Sequence, residues 1–188
     1  MPALAALAAL AVAEACARPV AVGGPRLTAR WTGSDTSAFS APVVGEWCAP
    51  LRVLQIRAVI GDTGLALATY PGDSVRPGAY PIRRADVADT VPPPAAAAAV
   101  RWFSKTVVQG YSSDSGRLML RRSGDGALAG DFKAWAHAAG GTDHIVLTGS
   151  FDGLRTAAAP ADCAGRAQSD SLRADSLEQD DDAGDGVD

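Results

Sequence analysis

The sequence predicts an all-β fold: a single antiparallel β-sandwich or barrel of about eight strands arranged as a meander. Apolar and polar residues alternate along several short segments, as they do in strands with one buried face. Short polar connections, most of which contain glycine, join these segments, and they leave no room for the helices that link parallel strands. Each strand is therefore expected to pair with its neighbours in the sequence.

The first clear strand pair lies between residues 52 and 70. One side of the segment 52–60 presents four apolar residues, Leu54, Ile56, Ala58 and Ile60. Residues 61–64 contain two glycines, which tolerate the backbone angles of tight turns. The extended pattern resumes at residues 65–70, so the two segments predict a β-hairpin.

The next part of the chain contains most of the turn-forming residues. Residues 79–82 are expected to form an edge strand, where Pro81 is permitted. Three consecutive prolines at 92–94 exclude a helix and favour an extended loop. The five alanines that follow, 95–99, are able by themselves to form one helical turn.

Four strands are expected in close succession after residue 99, at 100–109, 116–122, 128–137 and 144–151. Their connections at 112–115, 123–126 and 139–143 are polar. Two of these strands contain the pattern Leu-x-Gly-x-Phe, in which the glycine is expected to leave space for a neighbouring aromatic ring. The pattern resembles strands of small all-β bacterial envelope proteins, which are a loose group and not a named family.

The first fifteen residues resemble a bacterial export signal. The segment from Ala3 to Ala13 has no charged residue and is shorter than the ~20 residues that a membrane-spanning helix needs. Small residues at Ala13 and Ala15 precede Cys16, so the junction resembles the lipobox of bacterial lipoproteins. This resemblance implies a lipid on Cys16, contact with a membrane through that lipid, and a cell-envelope location, periplasmic or associated with the outer membrane. Cleavage before Cys16 without lipidation is the alternative.

The lipoprotein resemblance also bears on the other cysteines. With Cys16 assigned to the lipid, two of the three cysteines remain, and Cys48 and Cys163 are expected to form a disulfide outside the cytoplasm. The alternative makes Cys48 a nucleophile with His137 or His144 as its base. The residues around Cys48 match no cysteine-enzyme signature, which argues against that alternative.

Four parts are expected along the chain: a signal peptide at 1–15, a tether at 16–25, an all-β domain at 26–163 and a disordered acidic tail at 164–188. Residues 16–161 carry 15 basic and 11 acidic side chains, whereas residues 162–188 carry 2 basic and 9 acidic ones. The cations are spread over the predicted strands and form no cluster with exposed aromatic residues. This distribution argues against nucleic acid as a partner.

Few residues suggest a specific site. If Phe132 faces inward, Trp135 shares the outer face of its strand with Lys133 and His137, and these three are candidate contacts for a protein or a glycan. His144 flanks the same predicted connection as His137, and Asp143 is the residue next to His144.

His137, His144 and Asp143 are weak candidates for a metal site. Zinc requires further ligands, and no other residue stands at a recognisable ligand spacing from these three. No catalytic residue is predicted. The Gly-x-Ser-x-Gly motif of hydrolases and the phosphate-binding loop are both absent from the sequence.

The sequence therefore predicts a non-enzymatic protein of the cell envelope, a binding or structural module that uses no cofactor. Two alternatives stay open. One is a carrier of a small hydrophobic ligand inside a lipocalin-like barrel, because the sequence does not distinguish a filled interior from a hollow one. The other is a metal-dependent or hydrolytic enzyme that uses His137 and His144.

Overall fold

The computed structural model describes residues 24–104, 107–160 and 163, and these form an almost entirely β structure. Ten strands belong to one sheet: β1 (Arg26–Gly33), β2 (Ser37–Cys48), β3 (Val53–Ile60), β4 (Thr63–Tyr70), β5 (Gly78–Arg83), β6 (Ala95–Ser104), β7 (Val107–Arg122), β8 (Leu128–Ala138), β9 (His144–Leu154) and β10 (Thr156–Ala158). The predicted signal peptide, Cys16 and most of the tether lie outside the described residues, as does the acidic tail.

The sheet closes on itself because β1 pairs with both β2 and β9. The closed ring runs β1-β2-β3-β4-β6-β7-β8-β9, and every neighbouring pair in it is antiparallel. The predicted all-β fold is confirmed, with a closed sheet and with ten strands in place of about eight. We call the end of the barrel where β1 begins the lower end, and the end where β1 finishes the upper end.

The two strands beyond the ring of eight are short. β10 pairs in parallel with the lower part of β2. β5 lies between β6 and β7, so the prediction of an edge strand at 79–82 is wrong. Only one residue pair, Ile82 with Ala96, joins β5 to β6, whereas six pairs join β5 to β7. Most residues of β5 therefore have no partner on β6, as in an edge strand. Proline is tolerated at position 81 because few backbone hydrogen bonds are made on that side.

The buried Ser113 stabilises the point where β5 separates β6 from β7. Its hydroxyl donates a hydrogen bond to the carbonyl oxygen of Arg83 at 2.7 Å and accepts one from the amide of Ala98 at 3.0 Å. Ser113 is fully buried and lies at a bulge in β7, where the pairing with β8 shifts between Ser113 and Ser115. One side chain thus pairs backbone groups of two neighbouring strands.

Three predictions for the segment 95–122 are wrong. The strand expected at 100–109 is not one strand, because β6 ends at Ser104 and β7, which begins at Val107, pairs antiparallel to it. The alanines at 95–99 do not form a helical turn but the first half of β6, where they pair with residues 66–70 of β4. Tertiary pairing overrides the helix propensity of alanine here. Residues 112–115 are not a connection either, because β7 continues through them from Val107 to Arg122 and accommodates the extra residue as the bulge.

The interior of the ring contains one cluster of packed apolar side chains. Every ring strand contributes to it, through residues that include Leu27, Val43, Ile56, Leu67, Val100, Leu118, Phe132 and Leu147. Near the upper end the Trp102 ring stacks between Trp31 and Tyr111, with ring centroids 4.9 and 5.3 Å apart. Side chains therefore occupy the inside of the barrel over much of its length.

The two Leu-x-Gly-x-Phe segments pack against each other reciprocally. A Cβ atom added at Gly130 would lie 2.7 Å from Cζ of Phe151, and one added at Gly149 would collide with the ring of Phe132. Each glycine thus leaves the space that the phenylalanine of the neighbouring strand occupies. The packing role predicted for these glycines is confirmed.

The expected disulfide is present at the lower end of the barrel. Cys48, the last residue of β2, is bonded to Cys163, with the two Cα atoms 6.1 Å apart and 115 positions apart in the sequence. A disulfide is consistent with an oxidising environment. Among the described residues, no helix has both the length and the apolar character needed to cross a bilayer.

Candidate functional site

The outer face of β8 holds the site residues that the sequence singles out. Burial alternates along this strand, so that Phe132 and Ala134 point inward while Lys133, Trp135 and His137 point outward. The indole of Trp135 is 47% exposed. The ammonium group of Lys133 lies 4.8 Å from the centroid of the Trp135 ring, which is a cation–π contact.

Neighbouring strands add three arginines around this tryptophan. Lys133 lies directly opposite Arg117 on β7 and opposite Thr148 on β9, and Thr148 lies opposite Arg30 on β1. Two residues further along β8, Trp135 lies opposite Ser115 on β7, and Ser115 in turn lies opposite Arg83 on β5. We call the set Trp135, Lys133, Arg30, Arg83 and Arg117 the Trp135 patch. The pairing of five strands brings its members to one side of the barrel.

The cations of the Trp135 patch have no acidic partner among the described residues. The nearest carboxylate on β8, Asp131, forms an ion pair with Arg121. The guanidinium of Arg121 donates a hydrogen bond to Asp131 and lowers the pKa of that carboxyl below its ordinary value. Because the charge of Asp131 is compensated by Arg121, the Trp135 patch keeps a net positive charge.

His137 lies beside the patch and contacts a carboxylate that the sequence analysis did not identify. Its Nδ1 atom lies 2.7 Å from Oδ1 of Asp114 without hydrogen-bond alignment, and both side chains are partly exposed. Asp114 is the extra residue of the β7 bulge. Nearby, Arg84 donates two hydrogen bonds to Asp86, which lowers the pKa of the Asp86 carboxyl, and His137 adds a smaller effect in the same direction.

The weak metal candidates do not assemble into a three-ligand site. His137 and His144 lie opposite each other in the register of β8 and β9. Asp143 lies in the connection between them, and its carbonyl oxygen accepts a hydrogen bond from the amide of Ala138 at 2.8 Å. In the described part of the chain, no three histidine, cysteine or acidic side chains are placed to hold one ion. Cys48 is in the disulfide and is therefore not a free nucleophile.

Comparison of the chain with protein-family models, with curated proteins and with solved structures found no significant match. The functional proposal therefore rests on the geometry of this chain alone. Sequence alternation identified Trp135, Lys133 and His137, but it did not identify the three arginines of the patch. Arg30 and Arg117 also follow period-two patterns, yet only the strand register shows that they lie next to β8.

Proposed function

We propose that the protein is a non-enzymatic binding module of the cell envelope, exported and attached to a membrane through a lipid on Cys16. We further propose that its Trp135 patch binds an anionic polysaccharide. The observation that carries the proposal is one exposed indole among four cations without acidic partners in the described part of the chain.

The chemistry of the patch suits a charged sugar polymer. An indole offers a flat apolar face on which a sugar ring can stack, with a binding energy that does not depend on charge. Arginine and lysine bind carboxylate, sulfate or phosphate groups through charge-assisted hydrogen bonds. Both features occur on one continuous sheet surface, so a single ligand is able to contact them together.

The spacing of the cations supports a polymer over a small ion. Neighbouring strands lie about 4.8 Å apart, and residues two positions apart on one strand lie about 6.6 Å apart. The row from Arg30 through Thr148 and Lys133 to Arg117 crosses four adjacent strands, which spans roughly 14 Å. Single exposed ion pairs contribute only about 0–1 kcal/mol, so useful affinity requires several contacts along one ligand.

The scaffold supports a binding role more readily than a catalytic one. The patch lies on paired strands of a disulfide-linked barrel, which fix the backbone positions of its residues relative to one another. Its titratable side chains are lysine and arginine, and the carboxylate on β8, Asp131, is engaged by Arg121. An acid and a base facing one substrate position are the usual requirement for hydrolysis, and the patch offers neither.

Affinity electrophoresis tests the proposal with polygalacturonate as the anionic polymer and dextran as the neutral one. The full chain should be retarded by polygalacturonate, and the retardation should decrease with added salt because the ion pairs are exposed. Trp135→Ala should weaken binding about 10-fold, and Lys133→Gln or Arg117→Gln about 2- to 5-fold each.

Arg52→Gln is the matched control, because Arg52 is an exposed arginine that pairs with Asp73 on a different part of the surface. This control should bind as well as the unchanged protein. Equal retardation by dextran, or an equal loss of binding in the control, would contradict the proposal.

A further inference from the structure

A second surface feature lies on the upper part of the outer face formed by β3, β4, β6 and β7. It is a hollow of about 300 Å³. Its floor consists of small residues that point outward from three adjacent strands, namely Gly64, Ala66, Ala99 and Gly110. The hollow shares no residue with the Trp135 patch, and none of its lining residues is acidic.

The two glycines on this floor have no packing reason within the described chain. A Cβ atom at Gly64 would come no closer than 3.6 Å to another atom, and one at Gly110 no closer than 4.0 Å, which are ordinary contacts. Neither glycine has a positive φ angle. Gly130 and Gly149 differ, because phenylalanine rings occupy the space beside them.

Glycine inside a strand destabilises the fold by roughly 0.5–1 kcal/mol relative to alanine. Where packing does not require it, a strand glycine is typical of a bulge, of a tight bend, or of a position that a ligand or another backbone approaches closely. The strand pairings at Gly64 and Gly110 contain no bulge. The absence of side chains at 64 and 110 keeps the floor of the hollow open.

The rim of the hollow combines apolar and cationic groups. Val59 at the rim is 61% exposed, and Phe103, near the end of β6, is 51% exposed. Arg57 is paired with Glu46, whereas Arg101 makes no ion pair and no side-chain hydrogen bond with any residue that the structure describes. The Nε atom of Arg101 would lie 3.8 Å from a Cβ atom at Gly64, so this guanidinium lies at the edge of the floor.

We propose that the hollow binds a small apolar carboxylate, with its ring or acyl group on the floor and its carboxylate on Arg101. The volume is at the lower end of the range of ligand pockets, which suits a ligand of one or two rings. Charge complementarity favours an anion over a neutral ligand because Arg101 is the cation without a partner, and apolar contact favours it over a small inorganic ion. The ligand lies outside the barrel, so the packed interior does not have to open.

Titration of the full chain with 1-naphthoate, followed by amide NMR, tests this inference. We expect saturable shifts at Gly64, Ala66, Ala99 and Gly110. The neutral analogue 1-naphthalenemethanol should bind at the same position about 5- to 10-fold more weakly, because it lacks the charge-assisted hydrogen bonds to Arg101.

Two variants and two controls test whether Arg101 and the floor of the hollow bind the ligand. Arg101→Gln should reduce the affinity for naphthoate to that of the alcohol and leave the affinity for the alcohol unchanged. Ala99→Leu should abolish binding of both by filling the floor. Ala38→Leu and Arg52→Gln, which make the same changes elsewhere on the outer surface, should have no effect.

Three results would overturn the inference: shifts confined to residues outside the hollow, equal affinities for the acid and the alcohol, or unchanged naphthoate binding by Ala99→Leu. None of them bears on the polysaccharide proposal, since retardation by polygalacturonate depends on other residues.

Discussion

Replacing Gly130 with alanine should destabilise the barrel through one identifiable collision. The new methyl carbon would lie 2.7 and 2.8 Å from Cζ and Cε1 of Phe151 and 3.1 Å from the carbonyl oxygen of Met119. Favourable contacts between carbon atoms lie at about 3.5–4.0 Å, so the buried ring has to move by roughly 1 Å. Overpacking of this kind costs about 1–3 kcal/mol, and the reduced freedom of the unfolded chain offsets about 0.5 kcal/mol of it. The expected net loss is about 0.5–2.5 kcal/mol.

Urea denaturation under non-reducing conditions, followed by circular dichroism, measures this loss. Phe151→Leu removes the ring atoms that collide, so the double variant should be more stable than the sum of the single effects implies, by about 1–2 kcal/mol. Gly64→Ala is the matched control: its Cβ makes only ordinary contacts, so its stability should be equal to that of the unchanged protein or up to about 1 kcal/mol higher. An unchanged midpoint for Gly130→Ala, or strict additivity in the double variant, would refute the reciprocal packing.

Three other predictions address the disulfide, the β7–β8 turn and the N-terminus. Replacing Cys48 and Cys163 by serine should lower the free energy of unfolding by about 4–5 kcal/mol, since the bond closes a loop of more than 100 residues, and a loss below about 1 kcal/mol in urea denaturation would contradict this. The Ser123 hydroxyl and the Ala127 amide donate hydrogen bonds to Asp125 and hold its pKa below the ordinary value. This carboxylate therefore stabilises the fold above about pH 4, and the contribution is lost as the pH falls through the lowered pKa. The melting temperature of Asp125→Asn should decrease less between pH 5 and pH 2 than that of the unchanged protein. Parallel curves of melting temperature against pH for the two proteins would rule the effect out. Mass spectrometry of the protein purified from membranes should find an acylated Cys16 as the first residue, whereas an intact Met1 would exclude export through this leader.

Local alternation was sufficient to predict several strands closely. The segments expected at 52–60, 65–70, 128–137 and 144–151 correspond to β3, β4, β8 and β9 with small differences at their ends. In each of these strands one face is buried and the other is exposed, which is the condition under which a period of two appears in the sequence. The same alternation placed Trp135, Lys133 and His137 correctly on the outer face.

The strands that the sequence did not predict depend on pairing with residues that are distant in the sequence. β2 contains Pro42 and Gly45, which weaken its local pattern, yet it pairs with β1 on one side and β3 on the other. The alanines of β6 have a helix preference that pairing with β4 overrides.

Closure of the sheet requires β1 to meet β9, more than 100 residues later, and no local pattern specifies that contact. The candidate sites were limited in the same way. Arg30 and Arg117 join Lys133 only through the register of four strands, and Asp114 reaches His137 only because β7 contains a bulge.

The position of the disulfide gives the barrel a polarity. Arg26 begins β1 at the lower end, and Cys163 is bonded to Cys48 at that same end, so both ends of the described part of the chain lie at one pole of the barrel. β1 runs about 26 Å from this end toward the opposite pole. The hollow with Gly64 and Gly110 on its floor lies near the upper end of the barrel, and Trp135 lies in the upper half of β8. If the chain is attached to a surface through its first residues, both proposed binding sites would therefore face away from the point of attachment.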